Sequence, residues 1–154
     1  MWCSLPCRPW STWQHIQYNP QLQSQREESL LLLSRFTEFM QRLFRYDSSV
    51  QCYFEWPRNA DGWSLEQVQK LRGLLKYVSE FDGCAYDLKR SDNKLLLCKP
   101  WRIISTSLMM QQRLNRRCSK DHIHGECRGR EAEQSGRYNN KLVNAFVDAM
   151  LRSS

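Results

Sequence analysis

Apolar residues recur with helical spacing in the first third of the chain. Between Arg26 and Arg45 they follow one another three or four positions apart, while charged residues such as Arg35 and Glu38 occupy the other side. This period is typical of an amphipathic helix. The predicted core side consists of Leu32, Phe36, Phe39 and Leu43, widened by Leu33 and Met40.

Short strand patterns and helix patterns alternate along the rest of the sequence. Strands are predicted at 1–5, 50–56, 78–86 and 102–105, and helices at 65–77, 107–115 and 140–151. The stretch 118–135 is polar, contains glycine and shows neither period. Alternation of this kind predicts an α/β domain with a partly parallel sheet.

Composition narrows the class of protein. The 154 residues are 41% hydrophobic and suit one folded domain spanning 1–154. No stretch is long and apolar enough to span a membrane, and no secretory signal is visible. Seven cysteines without such a signal favour reduced thiols over a disulfide framework, so we expect an intracellular protein, nuclear or cytoplasmic.

A cysteine between two prolines is the first candidate for chemistry. Leu5-Pro6-Cys7-Arg8-Pro9-Trp10-Ser11 follows the first predicted strand. The prolines fix the backbone as a loop, and Arg8 would favour the thiolate of Cys7, the nucleophilic form. A proline-rich turn with a buried cysteine explains the same residues.

A carboxylate at a strand end is the second candidate. Glu55 lies in Phe54-Glu55-Trp56-Pro57, at the predicted end of a strand. Sites in open α/β sheets lie at the carboxyl ends of strands, and aromatic neighbours can keep a carboxyl group protonated as an acid. A solvated glutamate, or one paired with an arginine, is the alternative.

These segments together resemble DNA cytosine-5 methyltransferases. The Pro-Cys loop is similar to that family's nucleophile loop, and Phe54-Glu55-Trp56 falls where the family has Glu-Asn-Val. Residues 81–86 with Trp101-Arg102-Ile103-Ile104 are similar to its Tyr-Gly and Gln-x-Arg-x-Arg segments, and 138–151 to its final helix. The order and approximate spacing agree across nearly the whole chain.

The resemblance implies a Rossmann-like, methyltransferase-type three-layer sandwich that acts on a base extruded from the duplex. Cys7 would add to C6 of cytosine, Glu55 would contact the ring nitrogen edge, and Arg102 would support the base or Cys7. The family's glycine-rich cofactor turn is not found, so we expect S-adenosylmethionine binding only in an intact parent domain. The chain would then be the second part of such a domain, inactive alone, with its exposed sheet edge covered by a preceding segment or another chain.

A cluster of cysteines and histidines predicts a metal site. Cys118, His122, His124 and Cys127 lie within ten positions, and Gly125 and Gly129 would let the backbone wrap. Two thiolates and two imidazoles can complete a tetrahedral structural zinc shell. We therefore expect a small zinc-binding insertion at 116–137. A solvated loop that carries histidines by chance is the alternative.

Positive charge surrounds this insertion and predicts an acidic partner. The formal net charge is +7, which favours nucleic acid. The candidate contacts to nucleic acid are Arg8, Arg113, Arg116, Arg117, Lys120 and Arg128. A solvated basic face is the alternative. Two functions follow as expectations: a cytosine-5 methyltransferase-like fragment, or a non-enzymatic, zinc-stabilised nucleic-acid-binding module of a larger polyprotein such as that of a mobile element.

Overall fold

The computed structural model describes residues 1–16, 18–127 and 129–153, with the side chain of Glu133 also left aside. Arg128, a predicted nucleic-acid contact, lies outside the described residues.

The fold is mixed α/β with an open, mixed four-stranded sheet, which confirms the predicted class at that level. The strands are β1 (Trp2–Cys3), β2 (Tyr53–Pro57), β3 (Tyr77–Asp82) and β4 (Pro100–Ser105). The helices are α1 (Leu22–Tyr46), α2 (Glu66–Leu74), α3 (Leu108–Leu114), α4 (Arg130–Gln134) and α5 (Asn140–Leu151).

The strands have the order β1-β2-β4-β3, and β1 pairs with β2 in parallel. The chain divides into two compact units. Unit 1 comprises Met1–Val78 with Ile103–Thr106, and unit 2 comprises Ser79–Arg102 with the chain from Ser107 onward. Each unit holds one group of candidate functional residues.

Helix α1 exists where the periodicity predicts it, but it is rotated about its axis. Leu33 and Met40 are fully buried, whereas Leu32 and Phe39, predicted to face the core, are 41% and 50% exposed. The prediction is confirmed for Leu33 and Met40 and wrong for Leu32 and Phe39. Apolar residues occur nearly all round this helix, so their period alone does not select the buried side.

Two polar residues on the buried side of α1 explain its rotation. Ser29 Oγ accepts a hydrogen bond from the indole Nε1 of Trp10 at 2.8 Å. Thr37 Oγ1 donates to the carbonyl of Gln67 at 3.3 Å. Both side chains are buried, and such groups are stable inside a protein only when they are paired.

The core of unit 1 is built on aromatic rings. Phe54 and Trp56 from β2 contact Trp63 with ring centroids 5.8 and 6.0 Å away. The Trp56 indole donates to the carbonyl of Leu5 at 2.7 Å, and the Trp63 indole to that of Pro57 at 2.8 Å. Each buried N–H is therefore satisfied, so the rings contribute apolar area without an unpaired donor.

Unit 2 has an aromatic core of its own. Phe81 in β3 contacts Tyr86, Trp101 and Phe146 with centroid separations of 5.5 to 5.9 Å. The backbone N–H of Asp82 donates to the carbonyl of Arg116 at 3.0 Å, so the segment after α3 lies along β3. The final helix begins where the sequence predicts it, capped by Asn139, whose side chain accepts from the N–H of Leu142.

Gly62 provides a test of packing in unit 1. A Cβ at this position would lie 2.4 Å from a ring carbon of Trp56 and 3.0 Å from Trp10, whereas a Cβ at Gly73 in α2 meets no atom within 4 Å. We expect Gly62→Ala to lower the free energy of unfolding by about 1–3 kcal/mol through overpacking. Gly73→Ala should raise it by up to about 1 kcal/mol, because alanine is the better helix former.

Urea denaturation followed by tryptophan fluorescence measures both changes. Equal effects of the two substitutions would contradict the proposed packing of Trp56 against Gly62.

Candidate functional site

The Cys7 loop is held at both ends. The segment Arg8–Trp10 forms a 3-10 turn that starts at Cys7, whose carbonyl accepts from the N–H of Trp10 at 2.9 Å. Trp10 is buried, which anchors the far end of the turn. Cys7 is half-buried, and the proline-fixed loop that the sequence predicts is present in the structure.

Glu55 is linked to the residue that follows β1 because β1 and β2 run in the same direction. The register places Cys3 opposite Phe54. One residue further along each strand, the hydroxyl of Ser4 donates to Oε2 of Glu55 at 2.9 Å. Glu55 is only 4% exposed, so it is not the solvated glutamate of the alternative interpretation, and it lies in the second half of β2, toward its carboxyl end.

Arg102, the third predicted catalytic residue, has a different environment. It belongs to unit 2, where its Nη2 lies 2.6 Å from Oε1 of Glu80. The other carboxylate oxygen of Glu80 lies 3.2 Å from Arg117. One glutamate thus binds two predicted functional arginines and neutralises part of their charge.

Four potential metal ligands converge in unit 2. The ligand atoms of Cys84, Cys118, His122 and His124 all lie within 4.8 Å of one another. Cys118 Sγ is 3.6 Å from Nε2 of His122 and 3.4 Å from Nε2 of His124. Bond lengths in tetrahedral zinc sites place a sulfur and a nitrogen ligand roughly 3.5 Å apart, so the cluster has the size of a closed zinc shell.

Neighbouring groups orient two of these ligands, His122 and Cys118. Nδ1 of His122 lies 2.7 Å from a carboxylate oxygen of Asp121, which leaves Nε2 directed at the cluster. The N–H of Lys120 donates to Cys118 Sγ at 3.2 Å, and the N–H of Cys118 donates to Asp82 at 2.9 Å. Carboxylates behind histidines and N–H groups on thiolates are the usual supports of metal ligands.

The backbone explains how distant residues meet. Cys84 lies in the 3-10 turn Gly83–Tyr86 that follows β3, and a Cβ at Gly83 would approach Leu88 to 2.6 Å. His124 forms a parallel bridge with Leu96, whose carbonyl accepts from the N–H of Gly125 at 2.8 Å. Close backbone packing at the turn therefore brings Cys84 to the histidines.

The fourth ligand differs from the one predicted. Cys127 is outside the cluster, and its Sγ lies 3.3 Å from Oγ of Ser135. Cys84 takes its place, 34 positions before Cys118 in the chain. Burial, followed by the neighbouring thiols of Cys118 and Cys98, raises the pKa of Cys84 to about 12. A metal ion would therefore have to displace a proton from this thiol, which makes binding stronger as pH rises.

The predicted basic surface is partly neutralised. Arg113 Nη1 lies 2.9 Å from Asp148, and Arg117 contacts Glu80. The guanidinium of Arg116 lies 5.6 Å from the ring centroid of Tyr86. Arg116 and Lys120 are exposed and lie on either side of Cys118, whereas Arg8 belongs to unit 1.

No protein-family model, curated protein or solved structure matches this chain. None of the seven cysteines, all of which lie in the described residues, forms a disulfide bond. Among the described residues, no helix has the length and apolar character needed to cross a bilayer.

Exchange of single cysteines tests the metal centre. We expect the chain purified with zinc to hold one equivalent, and Cys84→Ser to weaken zinc binding by more than about 100-fold. Loss of a hydrogen-bond partner behind a ligand alone costs about 10–100-fold, so loss of a ligand should cost more. Cys127→Ser is the matched control and should keep the metal.

Elemental analysis and competition with a chelating dye measure stoichiometry and affinity. Zinc loss in Cys127→Ser with retention in Cys84→Ser would favour the ligand set predicted from sequence over the one in the structure.

Proposed function

We propose that the chain carries the base-engaging part of a DNA cytosine-5 methyltransferase-type domain, with Cys7 as nucleophile and Glu55 as its partner. The observation that supports this most is the parallel pairing of β1 with β2, joined by the Ser4–Glu55 hydrogen bond. The Pro-Cys loop and the glutamate then lie near the carboxyl ends of adjacent strands, where sites in α/β sheets are found.

The proposed chemistry uses residues of unit 1. The Cys7 thiolate would form a bond to C6 of an extruded cytosine as the C5–C6 double bond opens, which makes C5 nucleophilic. Glu55 would hold or protonate the ring nitrogen edge, and its burial would strengthen that hydrogen bond. The engagement of Arg102 with Glu80 in unit 2 gives no support to its proposed role.

S-adenosylmethionine would supply the methyl group in the family that the chain resembles. In the described part of the chain, the connections from β2 to α2 and from β4 to α3 contain at most one glycine, Gly62, and neither is the glycine-rich turn that opens a nucleotide-binding helix. They do not fit this cofactor, so we assign no step to it, and we propose that the chain alone does not transfer methyl groups.

The same proposal includes a Rossmann-like arrangement of the domain and a structural zinc ion in unit 2. Four ligands with the spacing of Cys84, Cys118, His122 and His124 leave no open position on a tetrahedral metal, which favours a structural role.

A mechanism-based DNA substrate tests Cys7. Duplex DNA with 5-azacytosine offers a more electrophilic C6, so addition of the thiolate can be detected without methyl transfer. We expect a covalent complex that is lost in Cys7→Ser, and a rate reduced by about 100-fold or more in Glu55→Gln. Denaturing gel electrophoresis separates the complex from free DNA.

Cys3→Ser is the matched control. Burial, followed by the neighbouring Cys52, raises the pKa of the Cys3 thiol to about 11, so this cysteine stays protonated at neutral pH. A covalent complex that still forms with the Cys7→Ser variant would contradict the proposal. The absence of any covalent complex with the unsubstituted protein would also contradict it.

A second candidate is a zinc-stabilised module that binds nucleic acid without chemistry, as part of a larger polyprotein. The metal cluster favours it, because Cys118 lies inside a basic segment and a bound ion would hold that segment in place. Arg116 and Lys120 are the first candidates for contact with phosphate, since Arg113 and Arg117 already pair with carboxylates.

Salt-dependent binding distinguishes this function. We expect the zinc-loaded protein to bind labelled DNA or RNA more weakly as salt rises. Arg116→Gln combined with Lys120→Asn should lower the slope of log K against log salt by about two, one for each lost phosphate contact. Asparagine is chosen because Lys120 has φ of 61°, which asparagine tolerates.

Fluorescence anisotropy measures the slope. The control, Lys70→Gln with Arg72→Gln, removes the same charge from α2 and should leave the slope nearly unchanged. Equal losses in the two double variants would indicate a response to net charge alone and contradict this assignment. Cys7→Ala should have no effect on binding.

A further inference from the structure

The rotation of α1 leaves an apolar surface uncovered. Leu31, Leu32 and Phe39 are 54%, 41% and 50% exposed, and Tyr46 at the end of the helix is 93% exposed. Leu32, Phe39 and Tyr46 are seven positions apart and so form one row along α1, and Leu31 lies next to this row on the outward part of the helix. Single exposed apolar residues are ordinary, but a row of large ones along a helix of 25 residues is typical of a contact surface.

The net charge of the exposed residues changes sign along the helix. Glu27 and Glu28 are exposed in its first half, whereas its second half exposes Arg35, Arg42 and Arg45 with Glu38. Two copies of α1 in antiparallel contact would place the acidic half of each against the basic half of the other. A parallel pair would place like charges together. The surface is therefore complementary to itself in the antiparallel arrangement, as a two-fold interface requires.

A depression lies beside the acidic half of this surface. Pro6, Pro9 and Leu32 contribute apolar walls, and Glu28 and Arg8 are the charged residues that line it. In an antiparallel pair, the half of α1 that carries Phe39 and Tyr46 would come from the second copy to this point. Large aromatic side chains that enter a pocket are the usual anchors of protein interfaces.

We propose that α1 is the contact helix of an antiparallel homodimer of this chain. The outward side chains of α1 form the interface, Phe39 and Tyr46 anchor it, and the opposed acidic and basic halves fix its direction. The dimer requires neither nucleic acid nor the metal cluster.

Charge reversal gives a test that does not depend on loss of folding. The purified full chain should double its mass at tens of micromolar concentration in sedimentation equilibrium. Glu27→Lys with Glu28→Lys makes both halves basic, and Arg42→Glu with Arg45→Glu makes both halves acidic. Each double variant should be monomeric alone, and an equimolar mixture of the two should recover the dimer mass.

A second test of the dimer removes one of the two proposed anchor residues, Phe39. Phe39→Asp should weaken dimerisation by at least about 100-fold, because the substitution removes a hot-spot residue from both copies of a two-fold interface. Val147→Asp, at a residue 47% exposed in α5, is the matched control and should leave the dimer intact. Circular dichroism confirms folding of all variants. A monomeric wild type, a mixture that stays monomeric, or a dimer that tolerates Phe39→Asp would overturn the proposal.

Discussion

The hydrogen bond from the buried indole of Trp56 to the carbonyl of Leu5 is the constraint on which unit 1 depends. Trp56 is fully buried, so its N–H must find an acceptor inside the protein. The acceptor belongs to the chain just before Pro6, which fixes the start of the Cys7 loop against β2. The position of the candidate nucleophile thus follows from a requirement of the core, and a change that moves Trp56 would also move the loop.

Unit 2 obtains its candidate site in a different way. Its cysteines and histidines lie on a turn after β3 and on a polar segment after α3. Backbone hydrogen bonds bring the turn and the segment together without a metal ion. The N–H of Cys118 donates to Asp82, and the N–H of Asp82 donates to Arg116. A bound ion would add its energy to an arrangement that is already specified, which reduces the ordering cost of binding.

Local patterns predicted the elements of this fold better than their contacts. The final helix and the α/β class could be predicted, because caps and periods are properties of neighbouring residues. The buried side of α1 could not be predicted from its own sequence. It depends on Trp10, a residue outside the helix, whose indole N–H donates a hydrogen bond to Ser29. Cys84 could not be assigned as a ligand from spacing, because the turn at Gly83 brings it to the histidines from far along the chain. Cys118, His122 and His124 could be predicted as metal ligands because they lie close together in the sequence.

The segment between α3 and the histidines also covers the outer edge of the sheet. Strand β3 is last in the strand order, and its N–H groups at Glu80 and Asp82 donate to Asn115 and Arg116. Without this cover, the edge strand would be a template for pairing with other chains. Because the covering segment continues directly into Cys118, an ion bound to the metal cluster would also hold this cover in place, and its removal by a chelator would uncover a strand capable of nucleating aggregation.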